Sequence, residues 1–212
     1  AAPRLRCSAA RARVQHARAE SAAADATAAL GTAGILVSDG RGTIDGPHQG
    51  RVGSEIVPAK KIVLATGGAP FVPPIPGLEA VPFLTNETVF DLRIAPTSLA
   101  ILGGGAIGCE LAQAMARLGV KVTLFEALDR LLAREEPEAS KVVSAALTAS
   151  GVDVRVGQRV ERVSQAADGS VVLTTADGEA ASAASLLVAV GREPHTAGLA
   201  LEAAGVDLDD RG

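Results

Sequence analysis

Ile101-Leu102-Gly103-Gly104-Gly105-Ala106-Ile107-Gly108-Cys109-Glu110-Leu111-Ala112 is the stretch on which the fold is decided. Gly103, Gly105 and Gly108 stand in G-x-G-x-x-G spacing directly after the apolar run Leu99 to Leu102. Each glycine answers a different physical demand. The first lets the chain turn sharply out of a strand, the second lets backbone approach a diphosphate, and the third lets the following helix pack closely on the sheet. The unpaired N–H groups and positive dipole end of such a helix face the phosphates, so Gly103, Gly104, Gly105, Ala106, Ile107 and Gly108 form a candidate dinucleotide-binding turn.

With 23 glycines in the chain, the spacing alone would be weak; its surroundings make it specific. Ile107, Leu111, Met115 and Leu118 recur at helical spacing, Gly119 suits a helix end, and Lys121 to Phe125 alternates as a second strand. Glu126 follows that strand. The dinucleotide fingerprint places an acid for the adenosine ribose 2′-hydroxyl about 20 residues beyond the glycines, and Glu126 is the candidate for it.

Outward from this unit, 212 residues with 48% hydrophobic content suffice for one or two domains with a sizeable core. The formal net charge of -4 offers no attraction to nucleic acid, and no apolar run approaches the ~20 residues that cross a bilayer. The expected partner is therefore a small-molecule cofactor. Cys7 and Cys109 belong to no C-x-x-C or metal-ligand pattern, so neither a metal site nor a dithiol is read here. Cys109 reads as a small residue packed against the sheet. His16, His48 and His195 are far apart and support no hydrolytic triad, so no catalytic residue is assigned within the chain.

Residues 1 to about 30 are rich in alanine and arginine and predict a helix stopped at Gly31 and Gly34. The same composition has an organellar transit segment as its alternative reading, beside a cytoplasmic expectation. Ile35 to Val37, Arg51 to Val57 and Lys61 to Ala65 read as strands, with a turn at Gly46-Pro47 and Gly50. The proline-rich stretch Pro70 to Pro82 reads as an extended connector and dictates a boundary between 1–83 and 84–212. Thr85 or Asn86 caps a short helix through Val89, Phe90 and Leu92. Pro137 and Gly151 bracket a second long helix with Val142, Val143, Ala146 and Leu147 as its apolar face. Val152 to Val156 is a strand, Arg159 to Ser164 and Ser170 to Thr175 form a hairpin about Asp168-Gly169, and Ser185 to Val190 is a last strand ending at Gly191. The fold class is α/β: a Rossmann-like nucleotide-binding domain with a β-hairpin insertion, not a solenoid or an all-β sandwich.

Three motifs in register carry a resemblance. Lys61-Ile-Val-Leu-Ala-Thr-Gly-Gly-Ala-Pro70, the glycine-rich run from Gly103 to Glu110, and Val190-Gly191-Arg192-Glu193-Pro194 are together similar to the pyridine nucleotide-disulfide oxidoreductases, the flavoenzymes that include dihydrolipoyl dehydrogenase, glutathione reductase and mercuric reductase. Leu84 to Phe90 and Arg134-Glu-Glu-Pro-Glu are most similar to the mercuric reductase and dihydrolipoyl dehydrogenase branch.

The resemblance implies FAD and NAD as cofactors, NADP being the less expected nucleotide, and hydride passage from NAD(P)H through FAD to a disulfide or metal-ion substrate. It implies that Ala65, Thr66 and Gly67 lie beside FAD, that Glu110 contacts the nicotinamide carboxamide, and that Gly191 and Arg192 mark the return toward the flavin domain. It also implies a homodimer formed through a C-terminal domain outside these residues. The family's first flavin fingerprint, redox cysteine pair, Gly-Asp flavin segment and His-Pro pair have no counterpart in the sequence, and His195 stands where the family has asparagine. The chain thus reads as an internal piece, a nicotinamide-nucleotide domain with part of a flavin domain, inactive in isolation. A non-catalytic dinucleotide-binding module is the alternative. A simple two-substrate dehydrogenase would need a catalytic acid or base beside the nicotinamide, and no such constellation is visible.

Overall fold

The computed structural model describes residues 7–24 and 27–210. In chain order its elements are α1 (Cys7–Ala24), α2 (Thr27–Thr32), β1 (Gly42–Gly46), β2 (Gln49–Val52), β3 (Glu55–Pro58), β4 (Gly68–Pro70), β5 (Ser98–Leu102), α3 (Ala106–Arg117), β6 (Lys121–Phe125) and α4 (Pro137–Ala149). They continue as β7 (Asp153–Arg155), β8 (Val160–Gln165), β9 (Val171–Thr175), β10 (Ala180–Ala183), β11 (Ser185–Val188) and β12 (Arg192–Pro194). Contacts separate a larger compact unit built around Pro70–Gly191 from a smaller one that joins Gln15–Ala69 to the return segment from Arg192.

The larger unit rests on a parallel sheet in the order β11-β5-β6-β7. A parallel sheet covered on both faces needs apolar residues on both, which is why Leu99-Ala-Ile-Leu102 and Leu186-Leu-Val188 are continuous apolar runs. Leu99, Ile101, Leu124 and Leu187 point to the face that also holds Cys109, Ala112 and Leu147 of the helices. Ala100, Leu102, Phe125, Leu186 and Val188 point the other way, into a core completed by Val163, Val171 and Leu173 of the antiparallel sheet. That second sheet has three strands, in the order β10-β9-β8. The expected hairpin is therefore a meander: Ala180–Ala183 pairs with Val171–Thr174, although alanine and serine carry little strand preference of their own.

Helix faces differ from the periodicity. The buried residues of α3 are Gly108, Cys109 and Ala112, whereas Ile107, Leu111, Met115 and Leu118 are half-buried along its flanks. Small side chains let the helix axis come close to the sheet, and the larger apolar ones close the sides. In α4, Ser140, Val143, Ser144 and Leu147 turn inward at i, i+3, i+4 and i+7, while Val142 and Ala146 are exposed.

Further expectations are revised by packing. Pro70 to Pro82, expected as an extended connector, is packed into the core: Leu78 and Val81 are buried beneath the antiparallel sheet, and the Pro76 carbonyl accepts the Val163 N–H at 2.9 Å. By their contacts, residues 70–83 group with the larger unit and the return segment from Arg192 with the smaller. Ile35 to Val37 and Lys61 to Ala65 are not strands; among the described residues neither has a neighbouring strand, and a strand without a ladder partner leaves its N–H and C=O groups unpaired. Arg51 to Val57 is broken at Gly53-Ser54, where Gly53 has φ +58 and reverses the chain between β2 and β3.

The helix predicted over residues 1–30 is found as α1 and α2, its parts at 1–6 and 25–26 lying outside the described residues. The short helix after Thr85 is a single 3₁₀ turn, Val89–Asp91. The Thr85 hydroxyl accepts the Glu87 N–H at 3.2 Å and Thr88 Oγ1 accepts the Thr85 N–H at 2.9 Å, bonds that close the turn leading into this element; the residue at its N-cap is Thr88, which makes no side-chain capping bond, rather than Thr85 or Asn86.

Two measurements test this core. Leu78→Ala should destabilise the protein by about 2–5 kcal/mol in denaturant unfolding, because it removes a fully buried side chain from a packed layer. A linker residue would move stability by less than about 0.5 kcal/mol. The Cys109 thiol is pushed up from its ordinary 9.0 to about 11, first by burial and then by the carboxylates of Glu126 and Glu110. An acid whose folded pKa is raised favours its neutral form in the fold, so this contribution is complete below pH 9 and is lost as pH rises from 9 toward 11. In a Cys7→Ser background, folded protein at pH 8 should therefore react with a disulfide reagent far more slowly than unfolded chain.

Candidate nucleotide-binding site

The chain leaves β5 at Leu102 and turns at Gly103, where φ is +105 and the N–H donates to the Phe125 carbonyl at 2.8 Å. A side chain there would run into the Ala189 carbonyl. At Gly108 a Cβ would be driven into the carbonyl oxygen of Gly103. These two glycines are thus demanded by the fold itself.

Gly105 is different. It precedes α3 with φ -73 and ψ -177, a conformation open to any residue, and a Cβ placed on it would meet no atom within 4 Å. Nothing inside the protein requires glycine at this point, so the missing side chain leaves room for something outside it. The Gly105 carbonyl accepts the Cys109 N–H at 3.0 Å, which leaves the N–H groups of Ala106, Ile107 and Gly108 without an acceptor in the helix. Three donors, a helix dipole and an unfilled cradle form the arrangement that an anionic diphosphate requires.

Glu126 stands at the end of β6, directly beside this turn. One carboxylate oxygen, Oε2, accepts the Gly104 N–H at 2.7 Å, and Oε1 accepts the Leu128 N–H at 2.8 Å. Arg130, the cation nearest in sequence, donates instead to the carbonyls of Ala133 at 2.8 Å and Glu135 at 2.9 Å. Arg155 lies over the Phe125 ring, 5.4 Å from its centre, and pairs with Asp153 at 2.9 Å. Glu110 is exposed in the second turn of α3, past the first turn where a helix dipole acts most strongly on an acid.

The remaining candidates gather in the smaller unit, apart from Gly191, which ends the larger one with φ +152. The turn Ala65-Thr66-Gly67 is exposed. Thr66 Oγ1 donates to the His195 carbonyl at 2.7 Å, the His195 N–H donates to the Gly67 carbonyl at 3.0 Å, and the His195 Nδ1 lies 3.1 Å from the Thr66 carbonyl. The carbonyl fits an Nδ1–H donor, as it would an asparagine amide. Arg192 reaches the neighbouring Gly68 carbonyl through its guanidinium. Thr66, Gly67 and Gly68 are therefore tied to Arg192 and His195 by backbone and side chain together. His195 as the donor to this turn is a residue that sequence reasoning left without a role. The substitution for asparagine was the available signal.

The sequence profile of the family described as "Pyridine nucleotide-disulphide oxidoreductase" matches residues 3–212. A mercuric reductase from Shigella flexneri is 42% identical over 163 residues, which cover 76% of this chain and 28% of the relative. A dihydrolipoyl dehydrogenase from Bacillus subtilis is 36% identical, covering 77% of this chain and 36% of the relative. Among solved structures, LpdA from Mycobacterium tuberculosis superposes with a TM-score of 0.81 at 30% identity, over 99% of this chain and 48% of that one. The HOCl-induced flavoprotein disulfide reductase RclA from Escherichia coli, in a Cu(II) complex, gives 0.73 at 34% identity over 87% of this chain and 42% of that one. The chain thus spans about a third of those two curated relatives and under half of those two structures, and by its profile and its fold it belongs to the pyridine nucleotide-disulphide oxidoreductase family.

Proposed function

We propose that this chain supplies the NAD-binding site of an FAD-dependent oxidoreductase that takes hydride from NAD(P)H and delivers the electrons to a disulfide or metal-ion substrate. The observation that carries the reading is Gly105, a glycine with ordinary dihedrals and an unfilled Cβ position in front of three free helical N–H groups. In this reading Gly103 sets the turn, Gly104 anchors it through backbone groups already bonded inside the protein, and Gly105 leaves the cradle open before the N–H groups of Ala106, Ile107 and Gly108, which receive the diphosphate. Glu126 accepts the adenosine ribose hydroxyls. Glu110 orients the nicotinamide carboxamide, and the exposed carboxylate is free to do so among the described residues.

Ala65, Thr66 and Gly67, braced by Arg192 and His195, form the flavin-side turn, and Gly191 marks the return of the chain toward it. The flavin, when bound, supplies the two-electron relay; the residues here hold and aim the nucleotide. A homodimer formed through a domain outside these residues and a cytoplasmic location complete the proposal.

The test compares two single-methyl insertions. Gly105→Ala should cost about 1 kcal/mol of stability, the scale of the glycine preference over alanine at a helix N-cap, yet it should weaken NADH binding at least about ten-fold by occupying the diphosphate position. Gly108→Ala should instead destabilise the fold, because its methyl collides with the Gly103 carbonyl. Titration and thermal melting of the two variants read this contrast; unchanged NADH affinity in a folded Gly105→Ala protein would overturn the reading.

NADH should bind more tightly than NADPH, by about ten-fold or more. The Glu126 carboxylate repels a 2′-phosphate, and Arg130 is held by the Ala133 and Glu135 carbonyls rather than turned toward the ribose position. Parallel titrations with the two nucleotides check it.

A further inference from the structure

We propose that Glu126 is also a positioning residue for the glycine loop, so that one carboxylate governs both the choice of ribose and the geometry in which the diphosphate is received. This rests on the nucleotide-binding reading above. Gly104 is buried, and both of its backbone polar groups are engaged from the segment that follows β6 or from α3. Its N–H donates to Glu126 Oε2 at 2.7 Å. Its carbonyl accepts the Leu132 N–H at 2.9 Å and the Cys109 thiol at 3.4 Å. The buried Leu131 side chain fills the place of a Gly104 Cβ, coming within 2.5 Å of that position. Leu132 holds its bond to Gly104 from φ +49, a conformation that leucine rarely adopts and keeps only where its surroundings enforce it.

The central glycine of the loop is therefore gripped by residues 126–132 without the nucleotide. Of these contacts, only the one to Glu126 is charge-assisted. Take the carboxylate away and a buried N–H is left without a partner, which the loop can relieve only by moving. Movement at Gly104 displaces Gly105 and the first N–H groups of α3, and a diphosphate then has to order what was previously held in place. The two duties are compatible. A carboxylate oxygen has two acceptor directions, so Oε1 and Oε2 can each hold one backbone N–H and still receive a ribose hydroxyl.

It follows that replacing Glu126 does more than alter ribose preference. Any dinucleotide should bind worse, including one that makes no ribose contact to the acid. The test titrates the protein and its Glu126→Ala and Glu126→Gln variants with NADH and with an NADH analogue whose adenosine ribose lacks both hydroxyls. Hydrogen exchange of the Gly104 amide, followed by NMR without ligand, supplies a second readout.

Glu126→Ala should weaken the dideoxy analogue by about ten-fold, the scale of one charge-assisted hydrogen bond, and Gly104 should lose exchange protection. Glu126→Gln retains one acceptor oxygen for two N–H groups and should fall between; if the alanine variant fails to fold, the glutamine variant carries the same comparison. Equal affinity of wild type and variants for the dideoxy analogue, with Gly104 protection unchanged, would overturn the inference. Failure of the unmutated protein to bind either nucleotide would instead refute the nucleotide-binding reading, and Gly104 exchange would still report whether Glu126 positions the loop.

Discussion

A carbonyl oxygen, that of Gly103, occupies the place where a side chain on Gly108 would begin. Helix α3 can start directly behind β5 only because neither residue carries a Cβ there. From this contact follow the short distance between helix and sheet, the choice of Gly108, Cys109 and Ala112 for the buried face, and the direction in which the first helical N–H groups point. Hydrophobic burial on both faces of the parallel sheet supplies the stabilising free energy, but it is indifferent to helix position at the level of one methyl group. The glycine contact converts that non-directional force into a fixed direction for the first helical N–H groups.

Along the same stretch, the glycines that the fold requires stand apart from the one that it does not. Gly103 and Gly108 are constrained by carbonyl groups of the protein itself, and Gly104 by the packed segment from Glu126 to Leu132. Only Gly105 is unconstrained from inside. A residue that the structure does not need, set among residues that it does, is a more specific sign of a ligand than the motif taken whole, because the motif includes glycines that any tight strand-to-helix turn would select.

The smaller unit shows how local sequence can mislead. Lys61-Ile-Val-Leu-Ala has the composition of a buried parallel strand, yet Val63 is 85% exposed and the run joins no ladder among the described residues. Apolar composition states only that a segment is suited to burial; a strand exists where neighbours complete its hydrogen bonds. The turn that follows is nonetheless ordered by specific bonds, those of Thr66, Gly67 and Gly68 with His195 and Arg192, which lie about 125 residues further along the chain and are brought in by the return segment.

By itself, the sequence determined the βαβ unit, its glycine turn, the acid at the end of the second strand and the family resemblance, because each depends on short-range spacing: period 3.6, period 2, and glycines where backbone must turn or approach closely. It also marked Asp168-Gly169 as a turn, again from residues a few positions apart. What only the tertiary structure decided depends on partners distant in the chain. Val142 and Ala146 of α4 are exposed while Ser140 is buried, because the sheet and its neighbours choose the helix face. Ala180–Ala183 becomes a strand because Val171–Thr175 offers it a ladder, and Leu78 enters a core that proline-rich surroundings conceal. The grip of Glu126, Leu131 and Leu132 on Gly104 belongs to the same class: no periodicity encodes a bond from a backbone N–H to a carboxylate 22 positions away, and only the closing of β6 beside β5 brings those groups together.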